Sequence, residues 1–524
     1  MSDSPSVRTN AASTSQNAPI FRLFSDILWY IFYINATMTP KTETTLPVFE
    51  TLLHSSHVCS SWRQTINSSS SLWAQVINVK FLWNRITREE IMRRTGDALL
   101  SITAEDHFTH SQQLLTLLEE NWHRIRYLSF SIEKRSAWQS IEAGFWRLLE
   151  RPAKYLETCI FNVQVLLQVD DEWIPPVAPD GHILFNDQAP ALRTFVAPTT
   201  ISLAAPWLTH LVDISLHGPL PVDQFLQALS SMPFLEILRD GNSSITRSPI
   251  SSPLPKITMP SVKRIDISSP DNIQPYLDFL THISPLAPSK CRLNFSVYPG
   301  QHRTWRLEDW DIATEILRLF PDFCGLSEAP SLELGIHRGK FGVTAHLPSY
   351  GTSSFEIMSV GDPSLVSQDH MQGFFPKLMQ SFTFRNLHYL LFLVSPGPSL
   401  STFDQNSFDH LSSVQVLETS VYSIQCLTDF LASPPETAPV MFPALQTLQV
   451  NSCPEKVDIP SIKLFLASRT TMGKPLQTLI IKMISYRLNK KARTVDMRWL
   501  DQFTGLKVIF LHLRGGGQPV VRAT

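Results

Sequence analysis

Two histidine pairs and one acidic run are the places in this sequence where residue type and spacing could support chemistry. His54 and His57, like His107 and His110, are one helical turn apart, a spacing that can suit a metal ion. No cluster of carboxylates or cysteines completes either site, so we interpret these residues as surface or core histidines. The acidic run at 170–172 lies in a proline-flanked loop, where adjacent carboxylates are usually solvated rather than paired for acid–base catalysis.

Motifs of the common enzyme families are missing from the sequence. It contains no GxxxxGK[ST], GxGxxG, GxSxG or HExxH string. Its 524 residues include 38 prolines but only 19 glycines, which leaves few glycines for phosphate-binding loops. We therefore predict no catalytic residue, no metal site and no cofactor. An enzyme with an unrecognised site in the repeat region described below is the weakest alternative.

Composition and charge narrow the class of protein further. Hydrophobic residues make up 43% of the chain, which is enough to bury a large core. The net charge is −2, without the basic stripe that nucleic-acid binders carry. The longest apolar runs are too short to cross a bilayer, and six scattered cysteines without a CxxC pair indicate reduced thiols. We expect a cytoplasmic or nuclear protein that binds neither nucleic acid nor membranes.

A short pattern, apolar-x-x-apolar-x-apolar, recurs along the chain and predicts its strands. The complete copies are Leu211/Ile214/Leu216, Val262/Ile265/Ile267, Leu387/Leu390/Phe392, Leu445/Leu448/Val450, Leu476/Leu479/Ile481 and Leu506/Ile509/Leu511. With a partial copy at Val414/Leu417, those from Leu387 onward are 27, 31, 31 and 30 residues apart, a period typical of a solenoid. Alternating residues of a short strand point to one face, so the units must stack to bury it.

Prolines stand directly before many of these strands. They are Pro190, Pro233, Pro260, Pro330, Pro443 and Pro475. Because proline disfavours helix in the residue before it, each ends an incoming helix, such as those predicted at 225–229 and 462–466, and begins an extended segment. This repeat resembles, in degenerate form, that of the leucine-rich-repeat superfamily, although only Asn451 stands near the family's asparagine position. The alternative is an ordinary α/β domain with chance matches.

The segment at 19–79 carries a different pattern. Its first predicted helix, at 23–32, has two apolar stripes at i,i+4 spacing. They are Leu23/Ile27/Ile31 and Phe24/Leu28/Phe32. With Trp29 and Tyr30 added, the helix is apolar nearly all round, whereas a surface helix needs only one apolar stripe. So small a module cannot cover it, which favours a partner protein as the cover.

A second helix is predicted at 57–66. Val58, Trp62 and Ile66 make its core stripe. A serine-rich turn at 67–71 follows the helix and leads to a further apolar group.

The two predicted helices together resemble the F-box family, in particular the F-box proteins of mushroom-forming fungi. The family's first string, Leu-Pro-x-Glu-Ile-Leu-x-x-Ile-Phe, is matched by Leu23, Asp26, Ile27, Leu28, Ile31 and Phe32. Its second string, Val-Cys-x-x-Trp-Arg, is matched by Val58, Cys59, Trp62 and Arg63, and its Leu-Trp pair by Leu72 and Trp73. The resemblance covers about 60 residues, and leucine-rich repeats are the usual companion of such a module.

The resemblance implies a three-helix module that docks on the Skp-type adaptor, and through it on the cullin, of an SCF-type cullin–RING ubiquitin ligase. The solenoid would then hold an unknown substrate protein, and the chain itself would not be an enzyme. The residues expected to bind the adaptor are Leu23, Phe24, Ile27, Leu28, Ile31, Phe32, Val58, Cys59, Trp62 and Trp73. Phe24 stands where the family has a proline, which leaves open a non-ligase repeat scaffold with a diverged F-box.

The predicted fold class is therefore α/β, with a small all-helical F-box-like module followed by an irregular leucine-rich-repeat-like solenoid. We predict a disordered N-terminus at 1–18, the helical module at 19–80, the solenoid at 81–514 and a flexible tail at 515–524. Proline-rich loops are expected at 241–260 and 395–406.

Overall fold

The computed structural model describes most of the chain. The described residues are 23–37, 48–82, 84–104, 111–132, 135–163, 182–197, 201–216, 220–241, 245–249, 253–269, 272–285, 291–297, 306–324, 329–337, 340–347, 351–358, 379, 384, 386–394, 408, 410–431, 441–452, 459–485, 498–514 and 520–523. The predicted disordered segment at 1–18, the pair His107/His110, the acidic run at 170–172 and the loop at 395–406 lie outside them. The chain divides into two compact units, Met1–Trp207 and Leu208–Thr524, which we call unit 1 and unit 2.

Unit 1 begins with short helices and continues as alternating strands and helices. Its helices are α1 (Ser25–Thr37), α2 (Val48–Ser56), α3 (Ser60–Ser68), α4 (Ser70–Gln75), α5 (Arg85–Thr95), α6 (Ser111–Asn121) and α7 (Arg135–Leu149). Its strands are β1 (Ile77–Asn78), β2 (Leu100–Ala104), β3 (Ile125–Ile132), β4 (Thr158–Val163) and β5 (Thr194–Val196). The boundary predicted between residues 80 and 81 lies inside this unit.

The strands of unit 1 pair in parallel and in chain order, from β1 to β5. One residue from each strand forms a single buried column across the sheet. The column is Ile77, Ile102, Leu128, Cys159 and Phe195. Because side chains alternate between the two faces of a strand, this register puts these five buried residues on one side of the sheet.

Unit 2 is a longer array of the same kind. Its strands are β6 (Asp213–Leu216), β7 (Leu220–Pro221), β8 (Ile237–Gly241), β9 (Ile245–Thr246), β10 (Ile257–Met259), β11 (Arg264–Ser269), β12 (Ile283–Pro285), β13 (Arg292–Val297), β14 (Ser331–His337), β15 (Lys340–Leu347), β16 (Gly351–Met358), β17 (Tyr389–Val394), β18 (Val416–Ser420), β19 (Thr447–Ser452), β20 (Thr478–Ser485), β21 (Lys507–Arg514) and β22 (Val520–Ala523). Its helices are α8 (Val222–Ser230), α9 (Gln274–His282), α10 (Leu307–Cys324), α11 (Val421–Leu431) and α12 (Ile459–Thr471).

The large sheet of unit 2 contains two parallel ladders. The first runs β6-β8-β11-β13 and the second β14-β17-β18-β19-β20-β21. Strands β16 and β15 lie between β13 and β14, with β15 antiparallel to both of its neighbours. This hairpin was not predicted, because it falls in the part of the chain where the apolar repeat is interrupted. Strands β7 and β9, and β10 and β12, form two small parallel pairs outside this sheet.

One residue from each strand of the two ladders lies in register, and the middle residues Ile214, Ile265, Leu390, Leu448 and Leu479 of the predicted repeat pattern are among them. In the first ladder the residues in register are Ile214, Leu238, Ile265 and Leu293. In the second ladder they are Leu332, Leu390, Leu417, Leu448, Leu479 and Val508. All of them are buried. The opposite side of this sheet carries the residues between these positions, and we call it the open face.

The last predicted copy of the pattern is displaced by one residue from the register of the strands. Val508, not Ile509, pairs with Leu479 and is buried. The position three residues before Val508, where the other copies have leucine or valine, is occupied by Gly505, whose φ of +82° favours glycine. Leu506 therefore belongs to the turn, and the pattern built on Leu506, Ile509 and Leu511 was wrong.

The proline positions agree with the predicted order of helix, proline and strand. Helix α8 ends at Ser230, Pro233 follows, and β8 begins at Ile237. Helix α12 ends at Thr471, Pro475 follows, and β20 begins at Thr478. The predicted tail differs from the structure in part, because Val520–Ala523 pair antiparallel with β21. No helix in the described residues is long and apolar enough to cross a membrane.

A candidate protein-docking surface on the first helix

Helix α1 starts two residues later than predicted and ends five residues later. The carbonyl of Phe24 accepts hydrogen bonds from the backbone N–H groups of Ile27 (3.0 Å) and Leu28 (3.1 Å), which closes the first turn. Asp26 in that turn places a negative charge near the positive end of the helix dipole. The helix runs to Thr37, so it presents one more turn of apolar residues than the sequence pattern predicts.

One face of α1 forms the core of the helical module. Leu28, Phe32 and Ala36 are buried on this face. They pack against residues of α2, α3 and α4 and the strand entry that follows. These are Leu52, Ile66, Leu72, Trp73 and Val76. The serine-rich turn predicted at 67–71 is shorter than expected, because α3 extends to Ser68 and α4 begins at Ser70.

Polar contacts fix the turn between α3 and α4 against its neighbours. The indole N–H of Trp29 donates to Ser69 Oγ (2.7 Å), and that of Trp73 donates to the carbonyl of Ile66 (2.9 Å). Arg94 of α5 lies over the Trp73 ring, 4.6 Å from its centroid, and donates to Asn67 Oδ1 (3.0 Å). The module is thus held to the helix that precedes β2.

The opposite face of α1 is apolar and exposed. Its residues and exposed fractions are Phe24 (77%), Ile27 (46%), Tyr30 (59%), Ile31 (37%) and Ile34 (41%). Positions 24, 27, 31 and 34 follow the helical spacing i, i+3, i+7 and i+10, so they form one line, which we call the α1 stripe. Sequence reasoning had not assigned Tyr30 and Ile34 to the binding surface. Tyr30 was counted among the apolar residues of the predicted helix but not among the binding residues, whereas Ile34 lies beyond the predicted end at Phe32.

The structure separates the predicted adaptor-binding residues into three groups. Phe24, Ile27, Ile31 and Val58 are exposed, and Leu23, Cys59 and Trp62 are partly buried. Leu28, Phe32 and Trp73 are buried in the module core, where they cannot touch another protein directly. Their place is to support the α1 stripe rather than to form it.

Val58 differs from its predicted role as a core residue of the second helix. It lies in the turn before α3, which begins only at Ser60, and it is 59% exposed. Trp62 and Ile66 do face inward, with Trp62 packed edge-on against Phe32 at a centroid distance of 5.1 Å. The exposed side chain of Val58 adds an apolar position to this module outside α1.

The histidine pair that the structure describes does not form a metal site. His54 and His57 are both exposed. Among the residues with described positions, no three histidine, cysteine or acidic side chains come together in a way that could hold a metal ion.

A buried glutamate, Glu418, lies on the open face of unit 2 and is surrounded by hydrogen-bond donors. Glu418 accepts hydrogen bonds from Lys482 Nζ (2.6 Å), Asn451 Nδ2 (2.9 Å) and the Tyr389 hydroxyl. Burial alone would raise the pKa of Glu418, but these donors outweigh it and lower the pKa below the usual value. Burial and the neighbouring Glu418 carboxylate raise the pKa of Tyr389. The group is fully paired and ties four strands together.

Comparison of the sequence with protein-family models and with curated proteins gives no match in either case.

Proposed function

We propose that this chain is the substrate-recognition subunit of an SCF-type cullin–RING ubiquitin ligase. In this proposal the α1 stripe docks on a Skp-type adaptor, which connects the chain to a cullin. The repeat sheets hold a target protein. The chain contributes no catalytic group, and it acts by bringing the target close to the ligase's catalytic subunits.

The exposed α1 stripe is the observation that carries the proposal. The four apolar side chains of the stripe and Tyr30 beside them face water, on the side of the helix opposite the module core. A line of apolar residues at helical spacing suits an apolar groove on another protein. The stripe lies within the segment whose two sequence strings resemble the F-box family, which supports a Skp-type adaptor as the owner of that groove.

Phe24 favours a specific version of this contact. It lies at the start of α1 and is 77% exposed, so its ring extends the stripe beyond the first turn. Large aromatic side chains at the centre of an interface often carry much of the binding energy. Phe24 therefore adds apolar contact area at the position where the family has proline.

Binding of a purified Skp-type adaptor to the full chain tests the proposal. The double substitution Ile27→Asp and Ile31→Asp charges the stripe while leaving the core residues Leu28 and Phe32 intact. We expect it to weaken adaptor binding at least about tenfold, because two charges would be buried without partners. Ile86→Asp is the matched control, since Ile86 is 78% exposed on α5 and lies outside the stripe.

Two results would contradict the proposal. One is that the folded wild-type chain recovers no adaptor, which would leave a non-ligase repeat scaffold as the better reading. The other is that Ile86→Asp weakens binding as much as the double substitution.

A further inference from the structure

Three arginines lie on neighbouring strands of the open face of unit 2. They are Arg239 on β8, Arg264 on β11 and Arg292 on β13. Arg264 and Arg292 are directly paired in the register of the parallel strands, whose backbones are about 4.8 Å apart. Like charges placed opposite each other on adjacent strands destabilise a sheet, so this pair costs stability.

Asp266 holds Arg264 in a fixed orientation. Arg264 Nε lies 2.9 Å from Asp266 Oδ1 and 2.8 Å from Oδ2. The Asn294 amide donates to Oδ1 of the same carboxylate (2.7 Å) and so fixes it from the next strand. Because the contact with Asp266 uses Nε, the two terminal amino groups of Arg264 remain for another acceptor, and 42% of the side chain is exposed.

Arg292 has no such partner. Within the part of the chain that the structure describes, its guanidinium makes no hydrogen bond or ion pair, although its neighbours on the same face do. Arg239 donates to Asp213 Oδ1 (2.7 Å) and lies 3.9 Å from Asp266. Three arginines therefore face two aspartates on the open face of β6, β8, β11 and β13, which leaves one positive charge uncompensated.

We propose that Arg264 and Arg292 bind a doubly charged oxyanion, and that its biological form is a phosphate monoester. Two guanidinium groups on adjacent strands can donate several N–H groups to the oxygens of one phosphate. A phosphate monoester offers three acceptor oxygens to these donors, whereas a carboxylate offers two. Asp266 acts as a positioning residue, because it holds Arg264 through Nε and leaves the terminal amino groups of that side chain for the anion. A modified protein side chain and a small phosphate ester both carry this group, and the titration below distinguishes the two sources.

A titration of the full chain with small probes, monitored by ligand-detected NMR, tests the site. The probes are inorganic phosphate, N-acetyl-phosphoserine N-methylamide and the matching glutamate derivative. We expect saturable binding of the phosphate probes and at least about tenfold weaker binding of the glutamate derivative. Tighter binding of the phosphoserine derivative assigns the site to a modified protein, and tighter binding of inorganic phosphate assigns it to a small ester.

Charge-removing variants separate the site from general electrostatic attraction. Arg264→Gln and Arg292→Gln are each expected to weaken phosphate binding about tenfold. Lys263→Gln is the matched control, because it removes one positive charge next to Arg264 while its side chain pairs with Glu236 at the strand entry (2.6 Å). The Arg292 guanidinium makes no hydrogen bond or ion pair within the described residues, so we expect Arg292→Gln to fold. This variant therefore still tests the site if Arg264→Gln does not fold.

The inference is overturned if no phosphate probe binds, if the glutamate derivative binds as tightly, or if Lys263→Gln has the same effect as Arg292→Gln. It does not depend on the proposed ligase function. Adaptor binding by Arg292→Gln should equal that of the wild type, so failure of one proposal leaves the other standing.

Discussion

Charged side chains join different repeats in the second ladder of unit 2. Glu418 on β18 is paired with Lys482 on β20, two strands away. Arg469 of α12 is buried and donates to the carbonyls of Met441 (2.7 Å) and Phe442 (3.0 Å) in the turn before β19. Burial lowers the pKa of Arg469 to about 10, which still leaves it charged at neutral pH. Each charge thus stabilises a contact between repeats rather than a position within one.

Lys482→Met should destabilise the chain by about 2 kcal/mol at neutral pH, because it leaves the nearly buried Glu418 carboxylate without its cation. The midpoint of chemical denaturation measures this loss. Lys507→Met on β21, where the lysine is exposed, is the matched control and should change the midpoint little.

The pH dependence of the same pair has a defined sign. The pKa of Glu418 in the folded chain is lowered from 4.5, so the stability it contributes is fully present above pH 4.5 and is lost as the pH falls through the folded value. The difference between wild type and Lys482→Met should therefore shrink below pH 4.5. An equal difference at all pH values would contradict the assigned role of the pair.

At the scale of elements, the sequence predicted more about the strands than about the helical module. The apolar triplets around Leu390, Leu448 and Leu479 located three strands and their inward residues through their period of two, and before the last two strands a proline adds to this signal. The apolar face of α1 was also predicted. Helices α2 and α4 were not, and Val58 was assigned to the core, because helices of six to nine residues are defined by tertiary packing more than by pattern.

Turns were the other element that the sequence left undetermined. The one-residue error at β21 arose because Leu506 matches the apolar pattern as well as a true core residue would. Only the positive φ of Gly505 distinguishes the turn from the strand.

Gly505→Ala should cost about 1 kcal/mol, because a side chain disfavours the left-handed backbone conformation at φ +82°. A Cβ at this position meets no atom within 4 Å, so the cost comes from the backbone alone. Denaturation and hydrogen exchange of β21 amides measure it, with Thr504→Ala as the control. A more stable Gly505→Ala chain would show that this turn does not set the register.

At the scale of the whole molecule, each unit is built largely from parallel strands that pair with their neighbours. In unit 2 the backbone before each strand adds a repeated contact. The carbonyl of Gln415 accepts from the N–H groups of Gln446 (2.9 Å) and Thr447 (3.0 Å), and the carbonyl of Gln446 accepts from Gln477 (2.9 Å) and Thr478 (3.1 Å). The same two-donor contact thus recurs between successive repeats and keeps their register.

Removal of residues 515–524 should increase self-association, because β22 is paired along the outer edge of β21. An unpaired strand edge presents free N–H and C=O groups to other chains. Size-exclusion chromatography over a range of concentrations measures the effect. Removal of the same number of residues from 1–10 is the control. A truncated chain that stays as monodisperse as the full one would contradict this protective role for β22.

The inward residues of successive strands lie in register, and this limits how the length of such a chain can change through gene duplication and loss. One inserted residue within a strand would turn its inward side chains outward, whereas a complete helix, turn and strand would extend the ladder without disturbing the others. The offset at Gly505 shows that a single-residue difference is absorbed in a turn, before the strand begins. Related chains should therefore differ in length mainly by whole repeats of about 30 residues, or by changes confined to the turns.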